Sequence, residues 1–530
     1  VERKQGVGGT WEVINVVDAD TTTFEDLELN PETTYLYRVT ATNGLQSDPT
    51  SEVEVVTLEQ VAPLIVDSIG DDFAIANTSI QLAIVVIGRD PLSYQWYQGA
   101  LGDTSKPVTG ANAAIFNTPS LASDTSFWAR ATNSEGSFDS QLFEVEVHFK
   151  MTFNVSTKNE LDNAIGLALP GDEIIVADGE YTDWRIEFQA SGLESAPIIL
   201  RAENPGEVIF KEESRLEIGG EWLVFDGFAF EGEYSGNDDE VIQFRADTLA
   251  FDCRVTNVSI FDYIPSDGSK MSYVSMYGRR NRVDNCYFTG HDVPGVTLVI
   301  WLDGQPNFHR IDHNHFANRI DGQENGWETI RVGTSNMSMS NSKTTVEYNL
   351  FTRVDGEIEI ISNKSGENVY RYNTFKESRG TLTLRHGDRC LVEGNYFLGG
   401  NFSETGGVRV IGRDHIVINN YFEKTTSRDG AAITVYAGIS GSPLNGYFSA
   451  DRTMLAFNTF FDNTGSAIEI AAGFGERDRT IAPTGIVIAN NVLDAGTRTT
   501  GEFVYGENPE TQTWAGNIIF GKNMGGSLVS

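Results

Sequence analysis

The sequence predicts an all-β protein: a right-handed parallel β-helix preceded by two small β-sandwich modules. Three observations predict it. An Asn followed shortly by Phe or Leu recurs in NCYF (Asn285), NHF (Asn314), NLF (Asn349), NTF (Asn373), NYF (Asn395), NYF (Asn420), NTF (Asn458) and NVL (Asn491). The intervals run from 22 residues (Asn373 to Asn395) to 38 (Asn420 to Asn458), which is the mark of a solenoid whose longer coils carry surface loops. The chain has 530 residues with 53 Gly and 15 Pro, too long for one ordinary domain and rich in turn formers.

Residues 1–58 contain LELNPETTYLYRVTATNG, with Tyr35, Tyr37 and Val39 alternating before an Asn-Gly turn. The run from Leu29 to Tyr35 resembles the tyrosine-corner segment of fibronectin type III domains, cut short of its first strands. The abrupt start VERKQGVGG reads as a processed or truncated end. Residues 59–149 hold SIQLAIVVIG, PLSYQWYQG and SFWARATNSEGS and resemble an immunoglobulin-like sandwich. Trp96 is its expected buried strand residue, and Ala129 stands where the second cysteine of such domains falls. Both modules read as spacers, with carbohydrate binding as the other reading.

At Met151 the character changes. TKNELDNAIGLALPGDE predicts one short helix, with Thr157 and Glu160 in capping-box spacing and Leu161, Ala164, Ile165 and Ala168 on one face. Pro170-Gly171 ends it. This helix is expected to cap the open end of the solenoid that fills residues 150–530. Within each coil the Phe or Leu packs inside, and the Asn side chains are expected to stack as an internal ladder.

The formal net charge is −37, which disfavours nucleic acid as a partner. No apolar run is long enough to span a bilayer. Cys253, Cys286 and Cys390 have neither disulfide-framework nor zinc spacing and are expected to be small core residues.

Against this acidic background, Lys364 to Arg413 contains eight Lys/Arg and five Asp/Glu, a net of +3. Strand alternation turns Ile330 and Val332, Ile358 and Ile360, Leu382 and Leu384, and Val408 and Val410 inward. Arg331, Glu357, Glu359, Arg385 and Arg409 then face outward. On coils stacked at ~4.8 Å these groups would form one charged stripe, with Lys364 in the turn after the glutamates. A salt-bridge ladder is the bland alternative. Two carboxylates so close repel unless a cation joins them, and hard oxygen ligands suit Ca²⁺. An amide oxygen from the preceding coil, such as that of Asn325, is a natural third ligand.

NGWETIRVG (325–333), NLFTRVDGEIEIISNKSGENVYRYNTF (349–375), SRGTLTLRHG (378–387) and GGVRVIG (406–412) resemble polysaccharide lyase family 6, the family of alginate lyases and chondroitinase B. The resemblance covers residues 151–530. It implies that Lys364 is the general base and Arg385 the general acid of a β-elimination. It implies that Asn325, Glu357 and Glu359 hold Ca²⁺, that Arg331 and Arg409 hold substrate carboxylates, and that His386 lines the subsite. Longer members carry a second β-helix domain, and this chain is expected to hold only the first. The implied substrate is alginate, acted on outside the cytoplasm by a secreted, periplasmic or cell-surface protein. Dermatan sulfate is the alternative within the family. A polysaccharide-binding β-helix without catalysis is the alternative outside it. An inverting glycosidase ranks lower, since its paired carboxyls must stand apart and Glu357 and Glu359 do not. The insert around NGYFSADR is expected to wall the cleft.

Overall fold

A computed structural model describes the chain except residues 19–20, 28, 31, 42–48, 58–60, 89, 323–324, 427–429, 497–510 and 522–530. It divides into two compact units, Val1–Phe149 and Lys150–Ser530.

The first unit contains a four-stranded antiparallel sheet from Glu2–Gln5, Glu12–Val13, Thr34–Arg38 and Val53–Val56. Tyr35 is buried, and its hydroxyl accepts a hydrogen bond from the Asn30 N–H at 2.9 Å, the bond a tyrosine corner makes. The expected alternation ends early, because Leu36 is buried and Val39 is 48% exposed. The Asn-Gly turn at 43–44 lies outside the described residues. Residues 64–148 form two further sheets. Trp96 is fully buried between Phe116 and Phe143 and pairs across the strands with Ala129, so a small residue makes room for the indole.

The second unit is a parallel β-helix. Among the described residues three sheets of 14, 13 and 12 strands run along it; the first two take one strand per coil, and the third takes two, Glu240–Gln243 and Ala250–Phe251, from one coil. The helix Lys158–Leu167 follows Thr152–Val155, the end strand of the 14-stranded sheet, with Thr157 and Glu160 forming the capping box and Leu161, Ala164 and Ile165 buried. Phe316, Phe351, Phe375, Phe397, Phe422 and Phe460 stack inside with neighbouring centroids 4.7–5.1 Å apart. The cysteines are free and buried.

The asparagine ladder runs Asn314, Asn349, Asn373, Asn395, Asn420, Asn458, Asn491 and Asn517. Each side-chain oxygen accepts the backbone N–H of the ladder residue one coil earlier at 2.9–3.0 Å. Asn285 departs from expectation. In NCYF it is Cys286 whose N–H meets Asn314, while Asn285 occupies the left-handed corner before it (φ 53°), a conformation asparagine tolerates.

The third sheet carries the candidate site. Ile330, Ile361, Leu382, Val408 and Ile433 form one inward column. The parity expected for EIEII fails here. A bulge between Glu359 and Ile361 gives the inward place to Ile361, with Ile360 also in the core and Ile358 only half-buried. Lys364 is the last residue of the strand Glu359–Lys364, not part of the following turn.

Candidate active site

The charged residues of the third sheet occupy three neighbouring columns rather than one stripe. Arg331, Ser362, Thr383 and Arg409 share the central column. Glu359 lies to one side, opposite Thr381. Lys364 and Arg385 lie to the other: a second bulge pairs Lys364 with His386 and leaves Arg385 as the extra residue. Bulges re-aim side chains, and here they turn the groups toward a common point.

Three carboxylates form its floor. Glu328, Glu357 and Glu359 are buried and each offers an oxygen within 4.8 Å of the others. Lys364 Nζ donates to Glu328 Oε1 at 3.2 Å. Ser362 Oγ donates to Glu359. Arg409 Nη1 lies 3.5 Å and Arg385 Nε 3.9 Å from Glu359 Oε1. Burial, reinforced by the charges of Glu328 and Glu359, pushes the Glu357 carboxyl up to about 8. Oxygens of Glu328 and Glu357 are buried without a hydrogen-bond partner. Unpaired buried oxygens on mutually repelling carboxylates are the donor set a hard divalent cation satisfies, so these residues fit Ca²⁺. Asn325 is exposed, next to Gly326, whose N–H bonds the Glu357 carboxylate.

Aromatic side chains hold the arginines. Arg385 stacks on Tyr447 at 4.4 Å and donates to the carbonyls of Gly446 (2.7 Å) and Asn445 (3.1 Å). Arg409 donates to the Tyr447 hydroxyl at 2.7 Å and lies 4.7 Å over Tyr436. The NGYFSADR insert therefore lies against the site, where a wall was expected. Burial lowers the Arg385 pKa, against the opposing pull of Glu359 and Tyr447. Burial first, then Arg385 and Lys364, brings His386 down to about 3, so its imidazole is neutral. His386 is 1% exposed and its Nδ1 has no partner. Arg331 forms no ion pair among the described residues; it packs 5.3 Å over Trp301, and its Nε is buried without a partner.

Sequence reasoning missed Glu328, Tyr436, Tyr447 and Arg479. Strict alternation back from Ile330 assigns Glu328 to the inside; the visible signal was a glutamate in NGWETIRVG, the motif that already held Asn325 and Arg331. Arg479, 5.0 Å over Tyr447, comes from a distant coil and gave no local signal. A depression of about 940 Å³ in the first unit is chemically different from this site. Its Asp72, Asp124, Glu144 and Glu146 outnumber Lys106 and would repel a polyanion.

Residues 155–525 match the family model described as Chondroitinase B. The alginate lyase AlyGC, a family 6 structure, is 40% identical over 69% of this chain and 51% of its own, with a TM-score of 0.65. The chain thus spans about half the length of AlyGC. A mannuronic-acid-specific family 6 lyase from human gut microbiota is 30% identical over 68% of this chain and 87% of its own, with a TM-score of 0.59. The family 6 lyase Pedsa3628 from Pseudopedobacter saltans is 25% identical over 71% and 97%, with a TM-score of 0.60. A comparison with curated proteins gives no match. From the family match and the shared β-helix, the chain belongs to polysaccharide lyase family 6.

Proposed function

We propose that this protein cleaves alginate by Ca²⁺-assisted β-elimination, leaving an unsaturated uronate at the new non-reducing end. The observation that carries the proposal is the convergence of Lys364, three buried carboxylates and the Arg385–Arg409 pair on one face of the third sheet. The alginate lyases among its structural relatives support the choice of polymer. A polymer of this size is degraded outside the cytoplasm, so the protein acts as a secreted, periplasmic or cell-surface enzyme.

Glu328, Glu357 and Glu359, with the Asn325 amide at the rim, would hold the cation. Bound there, Ca²⁺ would stabilise negative charge developing on the substrate carboxylate. Arg331 and Arg409 bind uronate carboxylates and fix the register of the chain. Lys364 Nζ, oriented by Glu328 at 3.2 Å, removes the C5 proton. The C5 electron pair forms the C4–C5 double bond as the C4–O4 bond breaks. Arg385 donates a hydrogen bond to the departing O4, and solvent completes its protonation because a guanidinium rarely gives up a proton. The neutral His386 imidazole lines the subsite without adding charge.

The test is ultraviolet absorbance of unsaturated products from alginate, for wild type and Lys364→Ala, with Ca²⁺ and with chelator. Wild type turns over, and Lys364→Ala loses ~10²–10⁴-fold, the span of one general base. Dermatan sulfate, the polymer implied by chondroitinase B, runs beside alginate. Turnover of dermatan sulfate alone reassigns the substrate, and binding of both polymers without turnover of either overturns the lyase reading.

A further inference from the structure

Beyond the carboxylate cluster, the third sheet continues toward its N-terminal coils with a column of unusual side chains. Pairing of Ser275 with Val299 and Met276 with Ile300 sets Tyr277 beside Trp301. The Gly333 N–H bonds the Ile300 carbonyl, placing Gly333 after Trp301, and Val332 pairs with Asn363, placing Lys364 after Gly333. On the other side the Phe244 N–H bonds the Ser275 carbonyl, which sets Arg245 beside Tyr277. The column therefore reads Arg245, Tyr277, Trp301, Gly333, Lys364.

Each member has a distinct environment. The Tyr277 and Trp301 rings are nearly parallel, 11° apart with centroids at 6.1 Å, and both are half-buried. Arg245 caps Tyr277 at 4.1 Å with its side chain 47% exposed, and Arg331 caps Trp301 at 5.3 Å. Among the described residues the carboxylate that pairs with Arg245 is Glu240, at 4.0 Å, and that group already accepts the Tyr277 hydroxyl at 3.0 Å. Gly333 (φ +87°) adds no side chain to the column, and the place of a Cβ is already filled. A Cβ there would meet Leu302 at 2.8 Å and the Lys364 carbonyl at 2.9 Å.

We infer that Arg245, Tyr277 and Trp301 are distal subsites that bind uronate residues of the polymer beyond the reacting sugar. This deepens the lyase reading and rests on it for the position of the reacting sugar. The rung spacing of ~4.8 Å is close to the rise of one sugar in an extended uronate chain, so each coil meets about one sugar. With the reacting sugar over Lys364, the next lies over Gly333, between Trp301 and Lys364. The third and fourth then lie on Trp301 and Tyr277. Each ring has one face toward the other ring and one toward an arginine, so the ring edges line the path of the sugars, while Arg331 and Arg245 at the two ends receive carboxylates. On a chain of net charge −37, a cation at each end of an aromatic pair is the complement a polyuronate needs.

The experiment compares wild type, Tyr277→Ala and Arg245→Gln on size-defined uronate oligomers, with melting temperatures confirming that each variant is folded. For wild type, kcat/KM rises with length until the oligomer covers Tyr277. For both variants the rise stops earlier, so the ratio of long-oligomer to trimer kcat/KM falls about tenfold (~1.4 kcal/mol), chiefly through KM. An unchanged length dependence overturns the inference. Calorimetric binding of the long oligomer is the second readout. Should wild type show no turnover of any uronate, the lyase reading fails, yet weaker binding by the variants still upholds the subsites and equal binding overturns them.

Discussion

Glu328 is the residue on which most of the site chemistry converges. It is 1% exposed, accepts from Lys364, and shares the carboxylate cluster with Glu357 and Glu359. A single carboxylate thus contacts the candidate base and would contribute to the proposed cation site. Glu328→Gln keeps the shape and removes the charge. The expected result is a ~10–100-fold loss of Ca²⁺ affinity, as for changes to groups supporting a metal, with a matching loss of turnover. Calorimetric Ca²⁺ titration checks the first effect and product absorbance the second. Wild-type Ca²⁺ affinity in this variant would remove Glu328 from the cation site. Lys364, Arg385, Glu357 and Glu359 were legible in the sequence because each stands at a fixed place in a recognisable motif. Glu328 stood in the motif NGWETIRVG beside Asn325 and Arg331 but was hidden by the alternation rule, which a strand obeys only where its pairing is regular.

At the scale of the element, the asparagine ladder and the ionic ladder of the first sheet carry different risks. Asn395 accepts from the N–H of Asn373 and from its side-chain amide, and donates to the Tyr370 carbonyl. Asn395→Ala leaves these buried groups unpaired, and each costs ~1–3 kcal/mol. A large fall in melting temperature is expected; a fall no greater than that of a surface Asn→Ala control would show that the ladder adds little. On the first sheet, Arg282 bonds both oxygens of Asp312, at 2.8 and 2.7 Å. Burial raises the Asp312 pKa, but the bonds from Arg282 and His313 outweigh it and the net shift is downward from 3.8. A carboxylate lowered on folding stabilises above its unfolded value and loses that stabilisation as pH falls through its folded one. Asp312→Asn is therefore expected to lower stability at neutral pH and to flatten the loss of stability below about pH 4, read by denaturant unfolding across pH. The asparagine ladder was legible from its repeat. Its exception at Cys286 was not, because both NCYF and NHF satisfy the same loose spacing, and only the corner conformation of Asn285 distinguishes them.

For the whole molecule, the strongly acidic chain would have to concentrate cations where the proposed anionic polymer binds. Arg331, Arg385, Arg409 and Arg479 meet the aromatic rings of Trp301, Tyr436 and Tyr447 there. The carboxylate cluster beneath them is expected to couple folding to divalent cation. A ligand that binds only the folded state stabilises it by ~2.7 kcal/mol at 100 times its Kd. Ca²⁺ should raise the melting temperature of wild type and chelator should reverse the rise, with Glu357→Gln responding less. A melting temperature indifferent to Ca²⁺ would argue against a cation at this cluster.

The sequence by itself determined the solenoid, its coil period, the helix at its start and most of the charged residues of the site. These follow from local rules: a repeated Asn and Phe in every coil, a capping box, and alternation along a strand. Tertiary structure alone decided which of those charges meet. Two bulges displaced Ile361 and Arg385 from simple parity, and an insert some 60 residues beyond Arg385 returned Tyr447 to it. Side-chain direction after a bulge depends on pairing with the neighbouring coil, which no single strand encodes.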